Sequence, residues 1–302
     1  MEENYDVIII GGGPAGLTAG IYIKRAKLNA LLIEKTVVGG QMLLADVIEN
    51  YPGFLEIKGF ELAQKMEEQA KKFGLEIKFS EVKQVKSKEK KVFCEEESLT
   101  AKALIIASGA EPTKLNVKGE AELIGKGVSY CATCDGAFFS GKEVAVVGGG
   151  DTALVEALYL SKIAERVYII HRRDKFRGEK INQEKVLSNP KITIIWNTII
   201  QEVIGKDKVE ALLIKNVKTG REEIKPIDGV FIAVGRKPNT EFITDVEKDE
   251  LGYIKVNDEM ETSAEGVFAA GDCTSKKWRQ ITTAVGEGAK AAISAEKYIE
   301  KL

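Results

Sequence analysis

The sequence has few of the residues that build metal centres. Of its 302 residues, four are cysteine and one, His171, is histidine. Cys131 and Cys134 form a Cys-x-x-Cys pair, whereas Cys94 and Cys273 stand alone, so no second pair completes a tetrahedral sulfur site for zinc. We therefore expect no metal site.

The sequence also lacks a long apolar run and a large net charge. The longest apolar stretch near its start covers residues 7–10, too short for a signal-peptide core or a membrane span. A formal net charge of −2 gives no reason to expect general binding to nucleic acid or an anionic membrane. With 44% hydrophobic and 30% charged residues, the chain suffices for two globular domains. A cytoplasmic location is expected, because no targeting segment is seen and thiols stay reduced there.

A first nucleotide-binding pattern begins with a β-branched run at residues 6–10, which lacks polar alternation and predicts a buried parallel strand. The turn Gly-Gly-Gly-Pro-Ala-Gly follows at residues 11–16, and a helical pattern continues from it. Gly11 permits the tight turn, Gly13 lets the backbone approach a pyrophosphate, and Gly16 lets helix and strand pack closely. The phosphates are expected on the free N–H groups of the helix start.

An acid completes this first pattern. The next predicted strand, at residues 30–33, ends in Glu34, which lies 21 residues after Gly13 (34 − 13). An acid at this place accepts hydrogen bonds from ribose hydroxyls. Because strand, turn, helix and acid occur in the required order, the pattern predicts a dinucleotide site rather than a merely structural turn.

The same pattern occurs again in the middle of the chain. Residues 143–147 predict a strand, residues 148–153 read Gly-Gly-Gly-Asp-Thr-Ala, and a helix is expected to about residue 164. The following predicted strand ends at His171, again 21 residues after the third glycine, Gly150 (171 − 150). One chain therefore holds two dinucleotide-binding patterns of one design.

The two patterns differ in charge at this equivalent strand end. Glu34 suits an unmodified ribose and repels a phosphate, whereas the second pattern has Arg172 and Arg173, with Arg177 close behind. Guanidinium groups bind phosphate in a bidentate manner, and a 2′-phosphate distinguishes NADPH from NADH. A solvated basic face is the alternative interpretation, but the placement favours NADPH.

Cys131 and Cys134 lie between the two glycine turns and are followed at once by Asp135. Two cysteines at this spacing form a small disulfide ring, and an adjacent carboxyl group can move the proton that thiol exchange needs. Half of a zinc site and a packing pair are the alternatives. The position between two nucleotide-binding patterns favours a redox-active pair. The isolated Cys94 and Cys273 are interpreted as structural.

Several polar residues lie beside turns or before a helix. Residues 39–41 (Gly-Gly-Gln) and 49–54 are interpreted as turns. Gly271-Asp272 closes the last predicted strand, where the acid either holds a nucleotide hydroxyl or caps a turn. Arg279 and Gln280 precede the last predicted helix, whose N-terminal N–H groups are available to an electron-rich ring.

Together these motifs resemble low-molecular-weight thioredoxin reductases, of the pyridine nucleotide-disulfide oxidoreductase family. The resemblance covers essentially the whole chain, in the family's order. It is carried by residues 11–16, 39–41, 50–53, 131–136, 148–153, 171–174, Phe176, Arg177, Gly235, 238–240, 271–272, Arg279 and Gln280. Val155 departs from it, because the family usually has an acid there before the acid that Glu156 retains. Ser108 and Ile281 are smaller variations.

The resemblance implies an α/β fold with two Rossmann-like dinucleotide-binding domains of the three-layer ββα type. The FAD-binding domain is implied to be discontinuous and to consist of residues 1–113 and 245–302. Residues 114–244 are implied to form the NADPH-binding domain, which carries the cysteine pair. This smaller domain is implied to rotate between half-reactions.

Motifs and resemblance together give a set of candidate site residues. For FAD these are Gly11, Gly13, Pro14, Ala15, Gly16, Glu34, Gly40, Gln41, Asn50, Val82, Ala107, Gly109, Gly271, Asp272, Arg279, Gln280 and Ile281. For NADPH they are Gly148, Gly150, Asp151, Thr152, Ala153, His171, Arg172, Arg173, Arg177 and Gly235. The resemblance makes Cys131, Cys134 and Asp135 catalytic, with Cys134 next to the flavin, Cys131 facing outward, and Asp135 as acid/base.

The implied reaction is reduction of the disulfide of thioredoxin, or of a thioredoxin-like protein, by NADPH through FAD and the cysteine pair. A homodimer is implied by the family alone. The alternatives are a related flavin disulfide reductase or thiol oxidase with another acceptor or donor, such as ferredoxin, and a redox sensor without turnover. The intact basic cluster of Arg172, Arg173 and Arg177 argues against ferredoxin as the electron donor.

Overall fold

A computed structural model of the chain describes residues 4–45, 47–95, 97–276 and 278–302. The chain divides into two compact units, one formed by Met1–Glu111 with Lys237–Leu302 and the other by Pro112–Arg236. The first unit is therefore built from both ends of the chain, and the second from its middle.

Strands and helices alternate in both units. In chain order, the described strands are β1 Asn4–Ile10, β2 Ala30–Glu34, β3 Glu76–Phe79, β4 Gln84–Lys86, β5 Lys91–Phe93, β6 Ser98–Ile106, β7 Ala110–Pro112, β8 Val128–Ser129, β9 Glu143–Val147, β10 Arg166–Ile170, β11 Ile192–Ile195, β12 Thr198–Ile204, β13 Ala211–Asn216, β14 Glu222–Pro226, β15 Gly229–Ile232, β16 Arg236–Pro238 and β17 Val267–Ala269. The α-helices are α1 Pro14–Arg25, α2 Gly59–Lys72, α3 Ala132–Asp135, α4 Asp151–Leu160, α5 Lys180–Leu187 and α6 Ile281–Ile299. Short 3₁₀ helices cover Gly40–Leu44, Gly136–Phe139 and Gly271–Cys273.

The sheet of the first unit has parallel strands in the order β3-β2-β1-β6-β17, with β5 and β4 continuing antiparallel from β6. Ile10 pairs with Ile33 and Ile106, and Ile106 pairs with Ala269. Because parallel strands in register end at the same edge, the segments that follow β1, β2, β6 and β17 lie side by side.

The continuous apolar sequence of β1 is explained by burial on both faces. Val7 and Ile9 belong to the core packed against α1, α2 and α6, whereas Ile8 and Ile10 belong to the core on the opposite face. A strand buried on both faces needs no polar alternation, as the sequence pattern predicts.

The second unit repeats this arrangement around the parallel sheet β11-β10-β9-β15-β8. Val144 and Val146 face the core shared with α4, and Ala145 and Val147 face a core that includes Leu212 of the antiparallel sheet β12-β13-β14. Helix, parallel sheet and antiparallel sheet form three layers. The predicted α/β fold class with two dinucleotide-binding architectures is confirmed.

Some element bounds differ from the sequence expectation. Helix α4 ends at Leu160 rather than near residue 164. Directly after this end, the Ser161 hydroxyl donates to the Leu158 carbonyl oxygen at 2.8 Å. Residues 40–44 form a 3₁₀ helix rather than only a turn. Helix α5 was not predicted, because it buries only Val186 and so lacks an apolar stripe. None of the described helices combines the length and apolarity needed to cross a membrane.

Candidate active site

The first glycine turn leaves open space in front of α1. Gly11 has φ +109°, and a Cβ there would overlap the Ala107 carbonyl, so only glycine fits this crossing. Gly13 is the N-cap of α1 without a side-chain cap, and no atom lies within 4 Å of where its Cβ would be. The first N–H groups of α1 therefore point into space that a diphosphate fits.

Glu34 lies directly beside this turn. Its Oε2 accepts a hydrogen bond from the Gly12 N–H at 2.7 Å, and its Oε1 accepts one from the Thr36 N–H at 3.0 Å. The carboxylate is thus fixed at the end of β2, as an acceptor for ribose hydroxyls requires.

Two further segments lie against the same turn. A Cβ on Gly40, which has φ +56°, would be 3.3 Å from the Gly13 Cα. A Cβ on Gly271, which has φ +80°, would be 3.0 Å from the Ala15 Cβ. The turns at residues 11–16, 39–41 and 271–272 are thus brought together at the carboxyl edge of the first sheet.

The polar candidates around α6 are also linked. The Asn50 amide donates to Gln280 Oε1 at 3.3 Å, and Gln280 caps α6 in a reciprocal pair with Thr283. The Arg279 guanidinium stacks over the Tyr253 ring at 4.3 Å. Its Nε is buried and has no hydrogen-bond partner among the described residues.

The remaining candidates of the first unit occupy less closely joined positions. Gly109 has φ +71°, and its carbonyl accepts from Asn239 N–H at 3.0 Å. Asp272 lies 3.9 Å from the Lys276 ammonium. Val82 packs on the side of the sheet away from α1, and Gln41 is exposed. Pro14, Gly16 and Ile281 lie within α1 and at the start of α6.

These residues fit a flavin dinucleotide. The Gly13 cradle and the uncapped α1 start suit a diphosphate, Glu34 suits a ribose, and the buried Arg279 Nε is a spare donor. The donor and acceptor set is therefore one that FAD would satisfy.

The second glycine turn has the same construction. Gly148 has φ +150° and lies against the Ala233 carbonyl, while Gly150 is the uncapped N-cap of α4 with no atom within 4 Å of its missing Cβ. The Asp151 carboxylate accepts from the Glu179 N–H at 2.7 Å. Thr152 and Ala153 continue the first turn of α4, and Gly235 follows β15 with φ +129°.

The basic cluster at the end of β10 surrounds a buried histidine. His171 is buried against the Gly149 backbone, and its Nε2 lies 3.1 Å from the Lys175 carbonyl oxygen. Burial lowers the pKa of His171, and the charges of Arg177, Arg173 and Arg172 lower it further.

The arginines of this cluster project into solvent. Arg172, Arg173 and Arg177 are exposed, and within the described ranges no carboxylate pairs with them. Asp174, in contrast, pairs with Lys218 at 2.9 Å. Unpaired guanidinium groups beside a nucleotide cradle are the donors that a 2′-phosphate needs.

Cys131, the N-cap of the short helix α3, and Cys134, which lies within that helix, form a disulfide with a Cα–Cα distance of 5.3 Å. Asp135 ends this helix, and its Oδ2 accepts from the Ser129 hydroxyl at 2.6 Å. Burial raises the pKa of Asp135, and the Ser129 hydrogen bond partly opposes this shift. An acid with a raised pKa beside a disulfide is suited to exchange protons with the sulfurs.

Sequence reasoning did not select Glu156 or Ser129 as site residues. Glu156 Oε1 accepts from the Ala132 N–H at 3.5 Å, and its buried Oε2 has no partner in the described part of the chain. Burial is the main cause that raises the pKa of Glu156 to about 7; the Asp135 charge adds to it, and Arg236 opposes it. In the sequence, Glu156 is singled out only by the family resemblance, as the acid retained after Val155.

The segment before the disulfide is also anchored. The Tyr130 hydroxyl donates to Glu120 at 2.8 Å, and Glu120 accepts from the Leu115 and Val117 N–H groups. Arg236 donates to the Tyr130 carbonyl oxygen at 3.4 Å. The backbone entering Cys131 is therefore held on both sides.

Comparison with known proteins adds independent evidence. Residues 5–288 match the family described as pyridine nucleotide-disulphide oxidoreductase. A thioredoxin reductase from Treponema pallidum (strain Nichols) is 48% identical over 306 residues, covering 100% of this chain and 99% of that protein. One from Bacillus subtilis (strain 168) is 48% identical over 305 residues, covering 100% and 96%. The crystal structure of thioredoxin reductase from Streptococcus pyogenes MGAS5005 superposes with a TM-score of 0.96 at 45% identity, covering both chains fully.

Proposed function

Because the chain belongs to the pyridine nucleotide-disulphide oxidoreductase family, we propose that it is a thioredoxin reductase that uses NADPH, FAD and the Cys131–Cys134 pair. The relatives that match it over the full length carry this name. The acceptor is thioredoxin or a thioredoxin-like protein disulfide.

One observation carries the proposal. The chain has two uncapped glycine cradles of the same construction, at Gly13 and Gly150, together with a disulfide that is followed by an acid. A nucleotide-binding protein without disulfide chemistry has no use for the last feature, and a simple dithiol protein has no use for the first two. Their combination is that of a flavin disulfide reductase.

The charges, together with the family resemblance, support the assignment of one nucleotide to each cradle. Glu34 repels a phosphate on the adenosine ribose, so the first cradle is assigned to FAD. Arg172, Arg173 and Arg177 attract one, so the second is assigned to NADPH. When bound, these two cofactors supply the two-electron transfer that reduces the disulfide.

The side chains of the protein then carry out the thiol–disulfide exchange and the proton transfers. Reduction of the Cys131–Cys134 disulfide leaves two sulfurs that share the negative charge and the available proton, and Asp135 gives or takes that proton. A cysteine thiolate attacks the disulfide of the acceptor, which forms a mixed disulfide and releases one thiolate. The second cysteine resolves the mixed disulfide and regenerates the Cys131–Cys134 bond.

Anaerobic titration of the FAD-loaded protein tests the proposal. NADPH should bleach the flavin absorbance, and oxidised thioredoxin should restore it, whereas NADH should bleach it far less at equal concentration. Flavin that is bleached but not restored by thioredoxin would leave a flavoprotein with another acceptor. Equal bleaching by NADPH and NADH would contradict the assignment of the arginines as ligands of the 2′-phosphate.

Two further features complete the proposal. A homodimer is proposed from the family resemblance, and sedimentation of the FAD-loaded protein would test it. A cytoplasmic location is proposed because a dithiol that must return to its reduced form works in a reducing compartment.

A further inference from the structure

The Ser129 hydroxyl links the first cysteine to the acid that follows the second one. Ser129 Oγ lies 2.6 Å from Asp135 Oδ2, 3.1 Å from the Cys131 N–H nitrogen and 3.3 Å from the Cys131 carbonyl oxygen. A hydroxyl has a single proton, and the shortest contact takes it. Ser129 therefore donates to Asp135 and accepts from the Cys131 N–H.

Ser129 also belongs to the parallel sheet of the second unit. It is 5% exposed and ends β8, where it pairs with Phe231 in the parallel sheet. Asp135, in contrast, ends the four-residue helix α3. The hydroxyl thus connects the helical turn that carries Cys134 and Asp135 to a strand of the parallel sheet.

We infer that Ser129 is a positioning residue for the dithiol chemistry, because it fixes the carboxyl group of Asp135 beside the disulfide and assists its ionised form. This inference rests on the proposed thioredoxin reductase activity. Ser129 itself does not touch the acceptor in this scheme; it acts through Asp135.

The proton balance shows why the hydroxyl matters. Two electrons and one proton convert the disulfide to one thiol and one thiolate, and Asp135 supplies that proton and becomes a carboxylate. In transfer to thioredoxin, the thiolate attacks the acceptor disulfide, and the acceptor thiolate that is released takes a proton from solvent. The remaining cysteine thiol gives its proton to Asp135 and, as a thiolate, displaces the second acceptor sulfur as a thiolate, which re-forms the Cys131–Cys134 bond. A donor to the carboxylate stabilises the charged form, so losing Ser129 raises the pKa of Asp135.

Other ionisable groups face Asp135 from α4 and must be separated from this effect. Glu156 is electrostatically coupled to Asp135, and the Tyr159 ring packs against Gly136. Arg236 acts on Glu156 and holds the Tyr130 carbonyl. None of these side chains donates the 2.6 Å hydrogen bond to Asp135, so Ser129→Ala removes that bond, together with the one that Ser129 accepts from the Cys131 N–H, and leaves the groups on α4 unchanged.

The test compares Ser129→Ala with two controls. Ser129→Thr keeps the hydroxyl. Ser161→Ala removes another buried serine hydroxyl of the same unit, which donates to Leu158 and accepts from Asn189. For each FAD-loaded variant, stopped-flow traces would give the rate of flavin reduction by NADPH and the rate of reoxidation by thioredoxin across pH.

For Ser129→Ala we expect the pH midpoint of thioredoxin-dependent reoxidation to rise by about one unit, which is about tenfold in proton affinity. Flavin reduction by NADPH should stay unchanged. Ser129→Thr should restore the midpoint, and Ser161→Ala should leave it in place even if it costs similar stability.

A second readout does not depend on turnover. Infrared difference titration of the carboxyl groups, corrected with Asp135→Asn, should show the protonation of Asp135 shifted upward in Ser129→Ala. An unshifted Asp135 titration, or a shift of the same size in Ser161→Ala, would overturn the inference. If the unmodified protein fails to reduce thioredoxin, the proposed function fails, while the infrared titration still tests the role of Ser129.

Discussion

Replacing Arg172 and Arg173 together with alanine is expected to change the choice between NADPH and NADH. Both side chains are exposed at the end of β10, and Glu34 occupies the corresponding place in the first unit. The double variant should lose affinity for NADPH but keep its affinity for NADH, which carries a hydroxyl in place of the 2′-phosphate.

The magnitude follows from the exposure of the two guanidinium groups. A hydrogen bond to a charged group contributes about 1.5–3 kcal/mol, whereas exposed ion pairs contribute about 0.2–1 kcal/mol because water and salt screen them. At about 0.7 kcal/mol each, within the range for exposed pairs, the two contacts together contribute about 1.4 kcal/mol, which is about tenfold in kcat/KM. kcat at saturating NADPH should change little, because the 2′-phosphate takes no part in hydride transfer.

The assay is kcat/KM for both nucleotides at low and moderate salt. Arg221→Ala, an exposed arginine of the same unit outside the cluster, controls for the loss of positive charge. The NADPH constant of the unmodified protein should weaken with salt more steeply than that of the double variant. A parallel fall for NADPH and NADH would show that the arginines support the fold or the shared pyrophosphate, and would refute the reasoning.

Three other changes test separate parts of the site. Cys134→Ser should leave FAD bound and reducible by NADPH but abolish thioredoxin reduction, with buried Cys94→Ala as a control; substantial turnover by the serine variant would contradict the proposed route. Gly13→Val should fill the open cradle and weaken FAD binding, seen as released flavin fluorescence, and full FAD retention would argue against the cradle. Because the pKa of Glu156 rises from 4.5 to about 7 on folding, its contribution to stability should fall by about 1.4 kcal/mol per pH unit across that range, and Glu156→Gln should remove this slope in denaturant titrations. Identical pH slopes in both proteins would show that Glu156 ionises normally.

The regular patterns of the sequence predicted the parts of the fold that depend on local spacing. Strand, glycine turn and helix follow each other within a short stretch, so Gly13 and Gly150 are correctly expected at helix starts. The spacing of 21 residues from the third glycine of each turn likewise predicts Glu34 at the end of β2 and His171 directly after β10. These features are local, and one sequence suffices to read them.

The supporting residues of the disulfide could not be read in this way. On α4, Val155 is 46% exposed whereas the carboxyl of Glu156 is turned inward, which reverses the usual hydrophobic pattern. The Ser129–Asp135 contact depends on a two-residue strand, β8, whose pairing with β15 spans about a hundred positions of sequence. Only the assembled sheet brings these groups together.

The two unpaired cysteines give the chain a practical property for chemical labelling. Burial raises the pKa of Cys273 to about 11 and also raises the pKa of Cys94, and the Cys273 thiol donates to the Ile106 and Ala270 carbonyl oxygens. Because electrophiles react with thiolates and a raised pKa keeps these thiols protonated, both cysteines should remain unreactive in the folded protein. Every thiol equivalent that an alkylating reagent counts after reduction then belongs to the Cys131–Cys134 pair, and the same shielding keeps peroxides from consuming sulfurs that take no part in turnover.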